Sequence, residues 1–262
     1  MMSSEFRNFK FSSIYEFVNI VSEAVENGFD FWNFNEDLFV QIALKFNRIT
    51  LLHIYVSSTL LCYYSRFFRK SGDCVEKEYV DWWIHLMKDY GIRLRRTGYD
   101  VDKEDVNAGW AWFQKNETTF MRFFDVISDE VVYILFNDKQ FLVQFNRLVR
   151  NVLIDEDGTY AEYLELKWPQ NARNDDGTIK RCNIPKWVQQ AVFHRDKGRC
   201  VFCNKDLTGL VNTLNIKNYD HIIPLKDYGT NDPCNIQLTC EECNKKKGGK
   251  DIMPQYKYQS WW

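Results

Sequence analysis

Cys200-Val201-Phe202-Cys203, then Tyr219-Asp220-His221-Ile222-Ile223-Pro224-Leu225, then Asn235-Ile236-Gln237-Leu238-Thr239-Cys240-Glu241-Glu242-Cys243-Asn244, then Lys247-Gly248: these stretches decide the reading of the C-terminal part of the chain. A Cys-x-x-Cys pair lets two thiolates reach one tetrahedral ion, and two such pairs complete a shell of four, so Cys200, Cys203, Cys240 and Cys243 read as a structural zinc (Zn2+) site. Cys203 and Cys240 are separated by 36 residues, longer than a compact zinc ribbon needs. The excess leaves room for a strand and a loop. Asn218 to Ile223 reads as that strand, with Pro224 helping to end it. Adjacent strand residues point to opposite faces, so Asp220 and His221 can serve different partners. Imidazole, with an ordinary pKa of about 6.5, can act as a neutral base near pH 7.

This arrangement resembles the HNH endonuclease family, the ββα-metal nucleases, in the subgroup with four zinc cysteines. The resemblance covers Ile184 to Lys250, about a quarter of the chain. It implies His221 as general base, Asp220 and Asn244 as ligands of a catalytic divalent ion, and Asn235 as the brace of the loop that orients the base. Amide and carboxylate oxygens suit Mg2+ or Mn2+, with Ni2+ a further candidate. Glu241 to Lys250 should form the helix of the ββα unit. Its Lys245, Lys246, Lys247 and Lys250 would face phosphates. Arg195, Lys197 and Arg199 would extend the basic surface. The reaction implied is hydrolysis of a phosphodiester, giving a 5′-phosphate and a 3′-hydroxyl. DNA is the favoured substrate, although the pattern does not separate it from RNA. One such site cuts one strand.

Working outward, charge is divided along the chain. From Lys180 onward there are 14 Lys and Arg against 8 Asp and Glu, net +6; before it, 20 against 28, net −8. A basic C-terminal piece suits a polyanion, since neutralised phosphates release counterions. Hydrophobic content of 45% and charged content of 27% are ordinary for a globular protein. The beginning of the sequence carries no signal-peptide pattern. The most apolar stretch, Ile49 to Phe68, contains His53, Arg66 and three serines, too polar for a membrane span. Paired Cys-x-x-Cys without an export signal favours a reducing, cytoplasmic compartment and no membrane association. Cys62, Cys74, Cys182 and Cys234 read as small apolar residues or exposed thiols.

The first 165 residues read as helical. Ser13-Ile14-Tyr15-Glu16 has the form of a capping box, and Ile14, Phe17, Val18, Val21 and Val25 follow at helical spacing up to Gly28. Further helices are expected over Asn35–Phe46, Ile49 to about Gly72, Cys74–Tyr90, Asp102–Gln114, Glu117–Phe136 either continuous or broken at Ser128, and Lys139–Ile154. Asp155-Glu156-Asp157-Gly158 reads as a turn, Tyr160–Trp168 as a short strand or helix, and Pro169–Thr178 as polar linker. Pro185 sits well at the first turn of a short helix running to about Arg195. Trp82, Trp83, Trp110, Trp112, Phe113, Phe120, Phe123 and Phe124 read as core, His53 and His85 as core or boundary residues, and His194 as surface. Glu165-Leu166-Lys167 matches a Glu-x-Lys nuclease pattern by chance only.

The fold class expected is thus an α-helical N-terminal domain plus a small α+β C-terminal domain of HNH ββα-metal type. The segments are residues 1–165, a linker at 166–183, and a nuclease domain at 184–262. The function expected is metal-dependent cleavage of DNA, with bacterial anti-phage defence or restriction as the family's habit. The alternative is a zinc-stabilised nucleic-acid-binding or partner-activated interaction protein whose nuclease stays silent. The helical part would supply a homodimer contact or a protein-partner surface.

Overall fold

A computed structural model of the 262-residue chain describes residues 8–28, 36–70, 75–96, 108–154, 169–209 and 217–254. The turn expected at 155–158, the segment 160–168 with its Glu-x-Lys, and Cys74 lie outside them. The chain divides into two compact units. One comprises Met1–Ala24 and His53–Ile134, the other Val25–Leu52 and Leu135–Trp262.

The first unit is helical: α1 (Ile14–Glu26), most of α3 (Leu51–Lys70), α4 (Lys77–Asp89) and α5 (Ala108–Leu135). Its core is aromatic. Phe17, Tyr64, Trp83, Trp112, Phe120, Phe123 and Phe124 are buried, as their helical spacing predicts. Tyr64 stands edge-on to Trp83 with ring centroids 4.8 Å apart and stacks on Phe124 at 5.7 Å. Such offsets follow the ring quadrupoles.

Three expectations change here. Asp102–Gln114 and Glu117–Phe136 are not two helices: one 28-residue helix runs unbroken through Asn116 and Ser128. The reason is local. Asn116 Nδ2 donates to the Trp112 carbonyl at 2.9 Å and the Ser128 hydroxyl to the Asp125 carbonyl at 2.7 Å, so both side chains bond back into the helix instead of competing with it. The Glu16 carboxylate of the expected capping box accepts from the Tyr64 hydroxyl at 2.8 Å, and Ser13 has φ +56°. His85 is exposed, bonded to the Asp81 carbonyl, while His53 lies 3.4 Å from Asp129.

The second unit holds α2 (Glu36–Leu44), the first turn of α3, α6 (Lys139–Ile154), α7 (Lys186–Arg195), a two-stranded antiparallel sheet of β1 (Lys217–His221) and β2 (Ile236–Cys240), and α8 (Glu241–Lys247). The Asp138 carboxylate caps α6, accepting from Gln140 N at 2.9 Å and Phe141 N at 3.0 Å. Asp220 faces Gln237 and His221 faces Ile236 across the sheet. Val188 and Val192 of α7, Ile236 and Leu238 of β2, Leu207 and two cysteines form a buried core. Phe46 and Phe136, from either side of the first unit in sequence, pack against it. The polar segment 169–183 forms a 3-10 turn and a bridge between Arg173 and Ile179, with Thr178 and Ile179 buried.

Candidate nuclease site and metal centre

The four motif cysteines meet. Cys200 and Cys203 lie on a tight knuckle after α7, Cys240 ends β2 and Cys243 sits in the first turn of α8. Their sulfurs all lie within 4.8 Å of one another. Cys203 Sγ and Cys240 Sγ are 3.7 Å apart. That is too far for a disulfide of about 2 Å but close to the edge of about 3.8 Å that a tetrahedron with metal–sulfur bonds of about 2.3 Å requires. The knuckle is closed by Asn204 N donating to Cys200 O at 2.9 Å, with Asn204 at φ +60°. Burial first, then neighbouring sulfurs, push the Cys203 and Cys243 thiols up. Burial also raises Cys240, but the Cys243 N–H and surrounding thiols outweigh it and its thiol lies below the ordinary value. Four thiolates this close need a cation between them, and the donor set fits zinc. Among the described residues, no other cluster of three or more His, Cys, Asp or Glu side chains could hold a metal ion.

The frame is anchored by a buried ion pair. Arg195 Nη2 lies 2.9 Å from Asp196 Oδ2 and donates to the Ile236 carbonyl at 2.7 Å; Asp196 Oδ2 also accepts from Leu238 N at 2.9 Å. Arg195, expected on a basic surface, is buried because its guanidinium holds the end of α7 against β2.

Asp220 and His221 end β1. Every hydrogen bond to the Asp220 carboxylate falls on Oδ2: Lys247 Nζ at 2.7 Å and, weakly, Gln237 Nε2 at 3.5 Å. Oδ1 receives none. His221 is 1% exposed, and among the described residues neither ring nitrogen makes a well-formed hydrogen bond, the Asn231 side chain being a polar neighbour. Burial, and next the nearby Arg181 charge, push its pKa down to about 4; Asp220 and the Asn231 side chain pull the other way. The ring is therefore neutral at physiological pH.

Asn235 is fully buried and its amide is spent on the loop. Nδ2 donates to the carbonyls of Ile223 and Thr230, each at 3.0 Å, and Oδ1 accepts from Ile223 N at 2.8 Å. Its carbonyl accepts from Ile222 N at 2.7 Å, so both residues after His221 are pinned by one side chain and its backbone. At Gly229, a Cβ would fall 2.0 Å from the Ile223 carbonyl, so only glycine lets the loop close this tightly.

Asn244 is half-buried on α8. Lys247 lies three residues further along, on the same face of the helix. Lys247 Nζ lies 2.7 Å from Asp220 Oδ2. Lys247 itself departs from the expectation of a phosphate-facing lysine. It is 2% exposed, with Nζ also donating to the His221 carbonyl at 2.6 Å. Lys245, Lys246 and Lys250 are exposed, Lys245 in an ion pair with Glu241 at 2.5 Å.

Sequence reasoning missed the residues that hold the loop from behind. Asn231 Nδ2 donates to the carbonyls of Leu44 at 3.0 Å and Lys180 at 2.8 Å, and its Oδ1 accepts from Cys182 N at 3.3 Å. The Asp232 carboxylate accepts from Cys234 N at 2.7 Å and caps α3 by accepting from Leu51 N at 2.8 Å. Asn146 Nδ2 donates to the Cys234 carbonyl at 2.9 Å. Cys234, read as a small apolar residue or thiol, is fully buried beside Thr50. Only Asp232-Pro233 carried a local signal, that of a turn.

Residues 200–250 match the HNH endonuclease family. The two-stranded sheet, the helix behind it and the four-cysteine cluster make this segment an HNH ββα fold with a zinc-type centre. Such a domain supports a nuclease or nucleic-acid-related function. No curated protein and no solved structure matches the chain. Among the described residues, no helix is long and apolar enough to cross a membrane.

Proposed function

We propose that this protein is a divalent-ion-dependent endonuclease that hydrolyses DNA. The observation that carries the reading is an Asp220 carboxylate bonded, among the described residues, only through Oδ2, followed in the chain by a neutral imidazole, with the Asn244 amide three residues before the lysine that pairs with Asp220. Hard oxygens of this kind suit Mg2+ or Mn2+, which when bound would supply a Lewis acid at the phosphate. Asp220 and Asn244 would hold it. His221 accepts the proton of the water that attacks phosphorus, and the 3′ oxygen leaves. Asn235 fixes the backbone on which His221 sits. Lys246 and Lys250 are exposed and can meet neighbouring phosphates, and Lys245 can do so by exchanging its Glu241 partner.

Four zinc-binding thiolates suit a reducing compartment such as the cytoplasm. A role in anti-phage defence or restriction agrees with an HNH segment joined to a large helical unit. A homodimer or protein partner would engage the helical unit.

The test is supercoiled plasmid incubated with Mg2+, Mn2+ or Ni2+, beside the His221→Ala variant. Wild-type protein should nick or linearise it, with cleavage falling about 100-fold or more in the variant. Equal cleavage by both proteins would rule out His221 as base. A second reading, a nuclease silent until a partner engages it, is favoured by the burial of His221. Cleavage that appears only with an added partner would select it. Duplex binding unaffected by His221→Ala, with no cleavage under any condition, would leave a binding module instead.

A further inference from the structure

Lys247 is the feature of this site that the hydrolytic reading does not use. Its ammonium is buried, which costs several kcal/mol unless a counter-charge compensates. The compensation is Asp220, 2.7 Å away, with the His221 carbonyl as second acceptor. Gly248 follows at φ +54° and closes α8 by donating to the Asn244 carbonyl at 3.1 Å. Lys-Gly thus has two separate jobs: the glycine turns the chain, and the lysine reaches back under the strand.

We propose that Lys247 is a built-in counter-ion for Asp220, so that the free protein holds its divalent ion weakly and a nucleic-acid phosphate completes the ion's site. The argument rests on the assignment of Asp220 as an ion ligand. An ion at Asp220 Oδ1 meets a carboxylate whose charge is already matched within a few ångströms. Asn244 adds an oxygen but no charge. A phosphate oxygen supplies the missing negative charge and a further ligand. Ion and nucleic acid therefore bind with positive coupling, and the coupling is reciprocal. Lys247 is a positioning residue: it acts on the ion through Asp220.

The test is Mn2+ binding to the zinc-loaded full-length protein, followed by electron paramagnetic resonance without nucleic acid. Lys247→Met keeps the length of the side chain and removes its charge. The variant should bind Mn2+ at least about tenfold more tightly than wild type, within the usual range of coupling between sites. Adding Asp220→Asn should abolish the gain. A folded variant with unchanged affinity overturns the proposal, as does a gain that survives loss of Asp220. Should Lys247→Met fail to melt cooperatively or to retain zinc, wild type carries the test. Its Mn2+ affinity should rise at least about tenfold with a phosphorothioate duplex that resists cleavage. Equal affinities with and without duplex overturn the proposal. Failure here separates from failure of the nuclease reading. A protein that gains Mn2+ affinity as described but never cuts loses only the latter. One that cuts while Lys247→Met leaves affinity unchanged loses only the former.

Discussion

The two units of this chain are held together by different physics. The first is a cluster of buried rings on four helices, with Phe17, Tyr64, Trp83 and Phe124 at its centre. Its cohesion is burial, spread over many side chains. The second has little sheet and a long loop, and its cohesion is concentrated: four sulfurs, one Arg–Asp pair and a few amides that saturate the loop's backbone. A distributed core weakens by degrees, whereas a concentrated one fails at named atoms.

That contrast sets the order of expected effects. Removing zinc by chelation, or by Cys240→Ser, should be the largest, since structural zinc contributes on the order of 10 kcal/mol in small domains. Protease sensitivity should appear in residues 184–254 while the helical circular dichroism largely persists. Loss of both together would erase the distinction. Trp83→Ala should cost about 3–5 kcal/mol in denaturant unfolding and leave zinc content intact. Asn235→Ala removes three hydrogen bonds from buried backbone groups and should cost about 2–4 kcal/mol, with zinc still bound but cleavage depressed. Full activity in that variant would mean that the loop holds itself.

The smallest effect is one of pH. His221 titrates near 6.5 when unfolded and near 4 when folded. Below about pH 6.5 the unfolded chain binds the extra proton, so stability falls with acidity down to about pH 4, by about 1–3 kcal/mol in all. It is constant above that window. His221→Gln should flatten the slope, as measured by denaturant midpoints from pH 4 to pH 7.

What the sequence revealed and concealed follows the same divide. The cysteine cluster was legible because zinc geometry imposes short spacings. Residues 139–154 were legible because their apolar positions recur at helical period. The continuity of α5 was not, because the bonds of Asn116 to the Trp112 carbonyl and of Ser128 to the Asp125 carbonyl are visible only in the structure. Lys247 hid among its neighbours: Lys245, Lys246 and Lys247 are alike in composition, and only helical phase puts the third on the inner face. Asn231 and Asp232 were illegible in principle. Their partners at 44, 51, 180 and 182 are fixed by tertiary structure, with no local pattern to announce them.

The cap that Asp232 places on α3 bridges 181 residues of chain. On a ribosome adding about 5–20 residues each second, Leu51 emerges roughly 10–35 s before the carboxylate that receives its N–H. Throughout that interval the aromatic helices can already be packing, since all their parts precede residue 135. The HNH segment is made after them, and closing its loop is also what completes the first turn of a helix made long before. Synthesis order thus leaves the loop around Asp232 open until well after the aromatic helices have been made.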